Sequence, residues 1–318
     1  MRGATALMTH SLIDIESPDR RGGLRASATS HGARLPGVIA AIIALFVLAS
    51  ALPIDAFAQQ RPLVTEDPET VTEGQVLIEA GFDYQHDVEF PATGLTGNLL
   101  RVPVIGASIG VGSRTEIQID GGLFNRLSIT ERTQAPLSGS LDVTGDNTSS
   151  VQDLLVGAKI RLLAEGASRP GFGVRFATKL PLASNESGLG LDTTDFYTAL
   201  LLAKTVRSVR LVGNVGLGIL TDPTIGNSQN KVLTYGVSFA RALTIASEIV
   251  GEINGRADLA GDTPPPGTES RSVFRIGARH TRGTVRIDGA LLLGITRFDP
   301  VFGAAAGLTY VFNAFQAP

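Results

Sequence analysis

From residue 74 onward the chain alternates apolar and polar residues with a period of two, over and over. In the stretch from Val76 to Tyr84, Val76, Ile78, Ala80, Phe82 and Tyr84 fall on one side, and Glu79 and Asp83 on the other. Between Thr115 and Asp120, Ile117 and Ile119 oppose Glu116, Gln118 and Asp120; further on, Val285, Ile287, Leu291 and Leu293 oppose Arg286 and Asp288. Successive side chains of a strand point to opposite faces, so each such segment has one apolar and one charged face. No stretch past Gln59 keeps a 3.6-residue apolar period long enough for a globular helix. The pattern predicts an all-β protein.

Twelve segments can be delimited, at about 74–86, 97–110, 114–126, 151–164, 171–181, 194–206, 208–220, 231–241, 244–257, 271–281, 284–296 and 302–315. Most exceed the roughly 5–6 residues typical of strands in water and match the roughly 9–11 that cross a bilayer at a tilt. Their connections alternate in length. Those at 110–113, 165–169, 207–208, 242–243 and 282–283 are short, whereas 130–150, 182–193, 222–230 and 259–270 are long and polar, with 297–301 the exception. Short turns at one end and long loops at the other mark outer-membrane barrels, and an even strand number puts both termini at the short-turn end. The expectation is a transmembrane antiparallel up-and-down β-barrel of about 12 strands over residues 74–315. A periplasmic β-sandwich would satisfy the alternation equally, so segment length and loop asymmetry decide for the barrel. Pro103 has no N–H to give a ladder, which predicts a bulge or break in the second segment.

Ahead of this, Arg20, Arg21, Arg25 and Arg34 flank the apolar run from Val38 to Ala51, which Pro53 ends. Ala56-Phe57-Ala58 then offers small residues at the two positions a signal peptidase reads. The run is short of the roughly 20 residues of a membrane helix, which favours a cleaved signal over an anchor. Residues 1–58 are read as a signal peptide with a long n-region, cleaved between Ala58 and Gln59, and 59–73 as a short periplasmic lead.

Composition narrows function more than fold. With no Cys, neither a disulfide framework nor a thiolate metal site is available. The 27 basic and 30 acidic residues leave no electrostatic footprint for nucleic acid. No cofactor motif stands out: Gly213, Gly216 and Gly218 are followed by no helix pattern, and they read as easing strand curvature. His86 and His280 have no metal-ligand spacing. Asp192 and Asp195 offer a cation two acids, yet such a loop is more often simply solvated. A barrel enzyme needs a Ser beside a His on its outer face, and Ser272, eight residues along the same strand, stands roughly 27 Å from His280.

If the apolar faces meet lipid, the opposite faces line a lumen. The candidate lining residues are Glu79, Asp83, Glu116, Asp120, Lys159, Arg161, Arg175, Lys179, Lys204, Arg210, Glu248, Glu252, Arg256, Arg275 and Arg286, with Arg101, Asp153, Arg279 and Asp288 in the same set. Bases cluster on segments four to seven and acids on one, three and nine. Such a division would give a pore a transverse field. The competing reading is a set of ion pairs filling a small barrel. Twelve strands lie between the roughly 8 that side chains fill and the roughly 16–18 that leave a channel.

The opening Arg61-Pro-Leu-Val-Thr-Glu-Asp-Pro68, followed by Gly74-Gln-Val-Leu-Ile-Glu-Ala-Gly-Phe-Asp-Tyr84, resembles an outer-membrane transporter family named after the MetA pathway of phenol degradation. So do Ala177-Thr-Lys-Leu-Pro-Leu182, Gly188-Leu-Gly-Leu-Asp-Thr-Thr-Asp-Phe196 and Gly307-Leu-Thr-Tyr-Val-Phe-Asn-Ala-Phe315. The resemblance runs over nearly the whole mature chain, through strand ends and turns rather than chemical groups. It implies passage of small, often aromatic or apolar, compounds across the outer membrane. The chain departs from barrels that end on a terminal Phe, because Gln316-Ala317-Pro318 follow Phe315, which puts docking on the assembly machinery by that signal in doubt. The expected protein is an outer-membrane channel for small solutes, not an enzyme and without a cofactor. Its expected partners are outer-membrane lipid and lipopolysaccharide, a small-molecule solute and the barrel-assembly machinery, with no nucleic acid. A structural or adhesive barrel and a lipid-modifying enzyme are the alternatives.

Overall fold

The computed structural model describes residues 61–259, 261 and 263–315, all within one compact unit, Ala49–Pro318. The expected signal peptide at 1–58 and its cleavage site before Gln59 lie outside the described residues, as does the tail from Gln316 to Pro318.

The period-two segments form strands β1 (Gln75–Phe90), β2 (Leu95–Gly112), β3 (Thr115–Gly122), β4 (Asn125–Arg132), β5 (Asn147–Ser150), β6 (Leu154–Leu163) and β7 (Gly171–Leu180). They continue through β8 (Asp195–Val206), β9 (Val209–Thr221), β10 (Gln229–Ala242), β11 (Ser247–Asp258), β12 (Arg271–Arg282), β13 (Val285–Gly294) and β14 (Phe302–Asn313). Every pairing is antiparallel, and β1 pairs with both β2 and β14, so the sheet closes on itself. The cylinder has twelve staves, because two of them are interrupted. β3 and β4 are successive halves of one stave against β2, bridged by the Val102 N–H to Phe124 O bond at 2.8 Å and the Leu123 N–H to Pro103 O bond at 3.1 Å. β5 and β6 are halves of the next, joined to it by Gln152 N–H donating to Gly122 O at 2.8 Å.

Pro103 does not end β2. Gly81 faces Val104 and Asp83 faces Arg101, so Val102 and Pro103 together stand opposite Phe82 alone. This is a bulge, and the extra residue reverses the alternation: odd positions such as Leu99 and Arg101 face inward before it, and even ones such as Gly106 after it.

The burial pattern is inverted relative to a protein in water. Outward-facing Ile78, Leu100, Ile119, Phe176, Leu200, Val215, Leu217, Val237, Ile253, Ile276, Leu291 and Leu308 are exposed around the whole circumference. Inside, Lys159 and Thr309 are 0% exposed, Glu116 1% and Arg286 2%. Monomers in water rarely expose apolar patches beyond a few hundred Å². In a bilayer this belt is the required outer face, and closure leaves no unpaired edge in the hydrocarbon. The sandwich alternative fails on the same observation, since it would bury these faces against each other.

Gln75 pairs with Asn313, so both ends of the barrel chain lie at the end that carries the turns at 113–114, 207–208 and 283–284. The longer loops 133–146, 181–194, 222–228 and 259–270 lie at the other end. There Leu141 and Leu189 reach onto a buried cluster of Val88, Leu95, Leu99 and Leu127. Asp142 N–H donates to Glu186 O at 2.9 Å and Thr93 Oγ1 to Gly188 O at 3.1 Å, so two loops dock together over an apolar rim.

If this belt meets lipid, Val215→Arg, near the middle of β9, should cost about 2–4 kcal/mol of stability in urea unfolding from lipid vesicles. A substitution that costs nothing would show that this face does not contact the bilayer.

Candidate functional site in the barrel lumen

Residues 61–74 form no strand, and their contacts reach staves all round the cylinder. The Arg61 guanidinium donates to Ala306 O on β14 at 3.0 Å and lies 3.6 Å from Asp288 on β13. The N–H groups of Val64 and Thr65 donate to Glu252 on β11 at 2.9 and 2.8 Å. Glu66 exchanges two hydrogen bonds with the Asn214 amide on β9, at 2.6 and 2.7 Å. Val71 N–H donates to Glu116 on β3 at 2.7 Å. A segment that touches opposite walls of a closed cylinder lies inside it. Over its described part, the stretch expected as a periplasmic lead is therefore an internal plug. Its backbone has no ladder of its own, and wall carboxylates and an amide satisfy the N–H groups instead.

The wall bases do lie together, but the plug answers them. Glu66 pairs with Arg175 at 3.0 Å and with Lys159 at 3.4 Å. Asp67 pairs with Arg210, and Glu69 with Arg161. Lys159 also reaches Glu116 at 3.3 Å, and Arg175 lies 4.0 Å from Asp120. At the opposite end of the segment, Arg61 lies by the acids, its N–H 3.4 Å from Glu79 and its side chain beside Asp288. The order of charge along the plug thus mirrors the transverse division of the wall.

Apart from Arg101, the remaining candidate lining residues have partners on the barrel itself. Lys179 pairs with Asp195 at 2.8 Å and Asp153 at 3.6 Å, Arg275 with Glu252 at 2.7 Å, and Arg279 with Glu248. Arg256 donates to the carbonyls of Gly267 and Glu269, Arg286 to Thr281 Oγ1, and Asp83 accepts from Gln85. Lys204 and Arg210 converge at the turn end on Glu165, at 3.3 and 2.9 Å. Partial burial would raise the Glu165 carboxyl, but the Thr205 N–H together with Lys204 and Arg210 holds it below the ordinary range.

Inward-facing glycines trace the path of the plug. Gly81 and Gly307 are register partners on β1 and β14, and a Cβ on either would overlap the Arg61 guanidinium. A Cβ on Gly236 would meet Thr65, and one on Gly110 the Thr72 backbone. Alternation alone does not reveal this, because it sorts residues by face without asking what lies against them.

The lumen stays hollow on the loop side of the plug. A cavity of about 490 Å³ has Val64, Thr65 and Glu66 as its floor and Arg101, Asn125, Gln152, Lys179, Tyr197, Leu201 and Asn254 among its walls. A second, of about 540 Å³, shares Val64, Arg101 and Tyr197 with it and extends toward Arg271 and Arg275. A smaller one of about 290 Å³ is bounded by Arg61, Leu63, Glu79 and Asp120.

Asp195 is no solvated loop acid: it is buried, taking Lys179 and the Thr221 N–H at 3.0 Å. Among the described residues, no group of three or more His, Asp or Glu is placed to hold a metal. His86 Nδ1 lies 2.7 Å from Asn98 Oδ1, with its ring against Phe302. His280 does have a serine beside it, Ser247 on the neighbouring strand, with Oγ 2.9 Å from Nδ1 on the outer face. In a hydrolytic relay the serine faces Nε2 and the orienting acid faces Nδ1, so this placement is the reverse.

Closed staves, an apolar belt and a charged interior define an outer-membrane β-barrel with a plugged lumen. No protein-family model matches the chain, and no curated protein matches its sequence. Among solved structures it is similar to the translocator domain of the autotransporter NalP from Neisseria meningitidis, at 15% identity and TM-score 0.43 over 76% of this chain and 88% of that one. It is also similar to LpxR from Salmonella typhimurium, at 12% and 0.40 over 75% and 100%, and to the Ralstonia pickettii toluene transporter TbuX, at 9% and 0.38 over 76% and 90%. The likeness is of barrel to barrel and does not choose among these proteins.

The absence of Cys makes an introduced thiol a clean reporter of the plug. Thr70→Cys in the folded barrel should react slowly with a polyethylene-glycol maleimide. Adding Glu66→Gln, Asp67→Asn and Glu69→Gln should bring labelling close to the rate of the unfolded chain, because the wall bases lose their partners. Rapid labelling of the single variant would contradict an internal plug.

Proposed function

We propose that the protein is an outer-membrane channel for small solutes, held closed in this structure by its own amino-terminal segment. The observation that carries this reading is the hollow loop-side lumen ending on a floor of Val64, Thr65 and Glu66. A purely structural or adhesive barrel has no need of such a space. The plug belongs to no strand ladder and is held by separate ion pairs and hydrogen bonds. It can therefore leave the wall while the barrel stays intact. A solute would enter past the docked loops that cover the buried Leu95, Leu99 and Leu127, rest in the cavity, and pass when the plug shifts. The apolar rim also suits the small aromatic or apolar compounds implied by the family resemblance.

On this reading the chain reaches the outer membrane through a signal peptide removed after Ala58, which leaves a free end close to Arg61. Lipid and lipopolysaccharide cover its belt, and the assembly machinery inserts it. The protein acts as a conduit and not as an enzyme. A lipid-modifying role would rest on Ser247 and His280, and Ser247→Ala should then abolish release of acyl chains from labelled outer-membrane lipid. We expect no such release from either form.

Planar-bilayer recording tests the channel directly. The chain from Gln59 should show low, intermittent conductance, and deletion of residues 61–73 should give a larger, steady one. In the deletion background, Arg175→Gln, Lys179→Gln and Arg210→Gln together should lower anion selectivity, because lumen residues set selectivity. No conductance and no solute uptake by either form would defeat the proposal.

A further inference from the structure

We propose that the loop-side cavity binds small carboxylate-bearing amphiphiles, an acid group on an apolar or aromatic body, with Arg101 as the anchor for the carboxylate. Every other base lining this cavity is engaged: Arg175 with Glu66, and Lys179 with Asp195 and Asp153. Arg275, on the adjoining cavity, is held by Glu252. Arg101 lines both cavities, and among the described residues it has no ion pair, while its buried Nε has no hydrogen-bond partner. Its register partner on β1, Asp83, does not answer it, since that carboxylate accepts from Gln85 at 2.9 Å and stays outside ion-pair distance.

Two further orphans lie beside it. Asn125 stands directly opposite Arg101 in the ladder, and the buried Asn125 Oδ1 and Gln152 Oε1 have no donor. Both side chains line the same cavity. Buried polar atoms are rarely left unpaired, and three on one wall point to an absent partner. They gather where the two staves are interrupted, at 123–124 and 151–153, so their side chains flank a gap in the regular wall.

A guanidinium with free N–H groups matches a carboxylate, which it takes bidentately. The amide oxygens would accept from a hydroxyl on the same solute. Leu155, Leu189, Leu201 and Tyr197 also line the space and offer apolar surface for a ring or short chain. The volume of about 490 Å³ is in the range of small-molecule sites. A dianionic phosphate is disfavoured, because Asp153 and Glu66 share the lining. The role of this site in passage rests on the channel reading, whereas binding itself does not.

The test is calorimetric titration of the full mature barrel in nanodiscs with 4-hydroxybenzoate, p-cresol and phenyl phosphate. The acid should bind about tenfold or more tightly than either of the others. Arg101→Gln should remove that preference. Arg101→Lys, which keeps the charge and loses the fork, should fall between, with folding checked by heat-modifiable gel mobility. If Arg101→Gln does not fold, the wild-type preference and the lysine variant still decide. Equal binding of acid and cresol, unaltered binding by either variant, or preference for the phosphate would overturn the inference. Those outcomes leave channel conductance untouched. Arg101-dependent binding by a barrel that never conducts would instead overturn the channel and keep the site.

Discussion

A barrel whose outer face must be apolar turns its charges inward, and charges taken out of bulk water have to be balanced where they stand. In this chain the wall balances its bases only in part: Lys159 reaches Glu116, Arg175 lies near Asp120 and Arg210 reaches Glu165, whereas Glu79 and Asp288 lie away from them on β1 and β13. The segment 61–74 supplies what is missing. Glu66, Asp67 and Glu69 meet the bases, and Arg61 meets the acids. The plug is therefore more than an obstruction, since removing it would take away the Glu66, Asp67 and Glu69 partners of the bases and the Arg61 partner of Asp288, leaving the wall bases to the fewer acids of the wall itself. On the proposed channel reading, those ion pairs tie a closed state to the charge division that would make an open lumen selective.

The same constraint explains the geometry around the plug. Long basic side chains reach in from β6, β7 and β9, while glycines at positions 81, 236 and 307 let the segment approach β1, β10 and β14 closely. On the loop side, where the plug does not reach, the wall is paired locally or left open. The cavity is the volume that twelve staves enclose beyond what fourteen plug residues fill. Arg101 lies at the border between these regimes, next to the bulge at Pro103 and across from the stave interruptions.

The barrel was legible in the sequence because its signal is local. Alternation such as Ile117 and Ile119 against Glu116 and Gln118 names the two faces without any knowledge of neighbours, and Pro103 announces its own bulge. The interruptions at 123–124 and 151–153 were not read: the inward positions change from even in β3 (Glu116, Gln118) to odd in β4 (Asn125, Leu127), and the all-polar Asn147–Ser150 has no apolar alternation to set it apart from the loop before it. The plug was invisible for a different reason. Glu66 finds Lys159 and Arg175 only through closure of the barrel, and no periodicity links residues so far apart. Two signs were present all the same: a run of acids, Glu66, Asp67 and Glu69, with no strand to belong to, and glycines at inward positions where the pattern called for a polar side chain. Ser247 and His280 were likewise a cross-strand pair that distance along one strand could not reveal.

One cross-link tests most directly whether the segment from Arg61 to Gly74 lies inside the barrel. A Cβ at Gly236, on the inner face of β10, would lie 3.4 Å from the Thr65 Cβ, close to the spacing a disulfide requires. The chain carrying Thr65→Cys and Gly236→Cys has no other thiol to compete. On mild oxidation of the folded barrel it should lose both thiols within one chain. Its conductance should then stay low until a reductant is added, and rise to the parent level afterwards. Two thiols that remain free for maleimide in the folded protein, or an oxidised barrel that conducts as freely as the reduced one, would contradict the account.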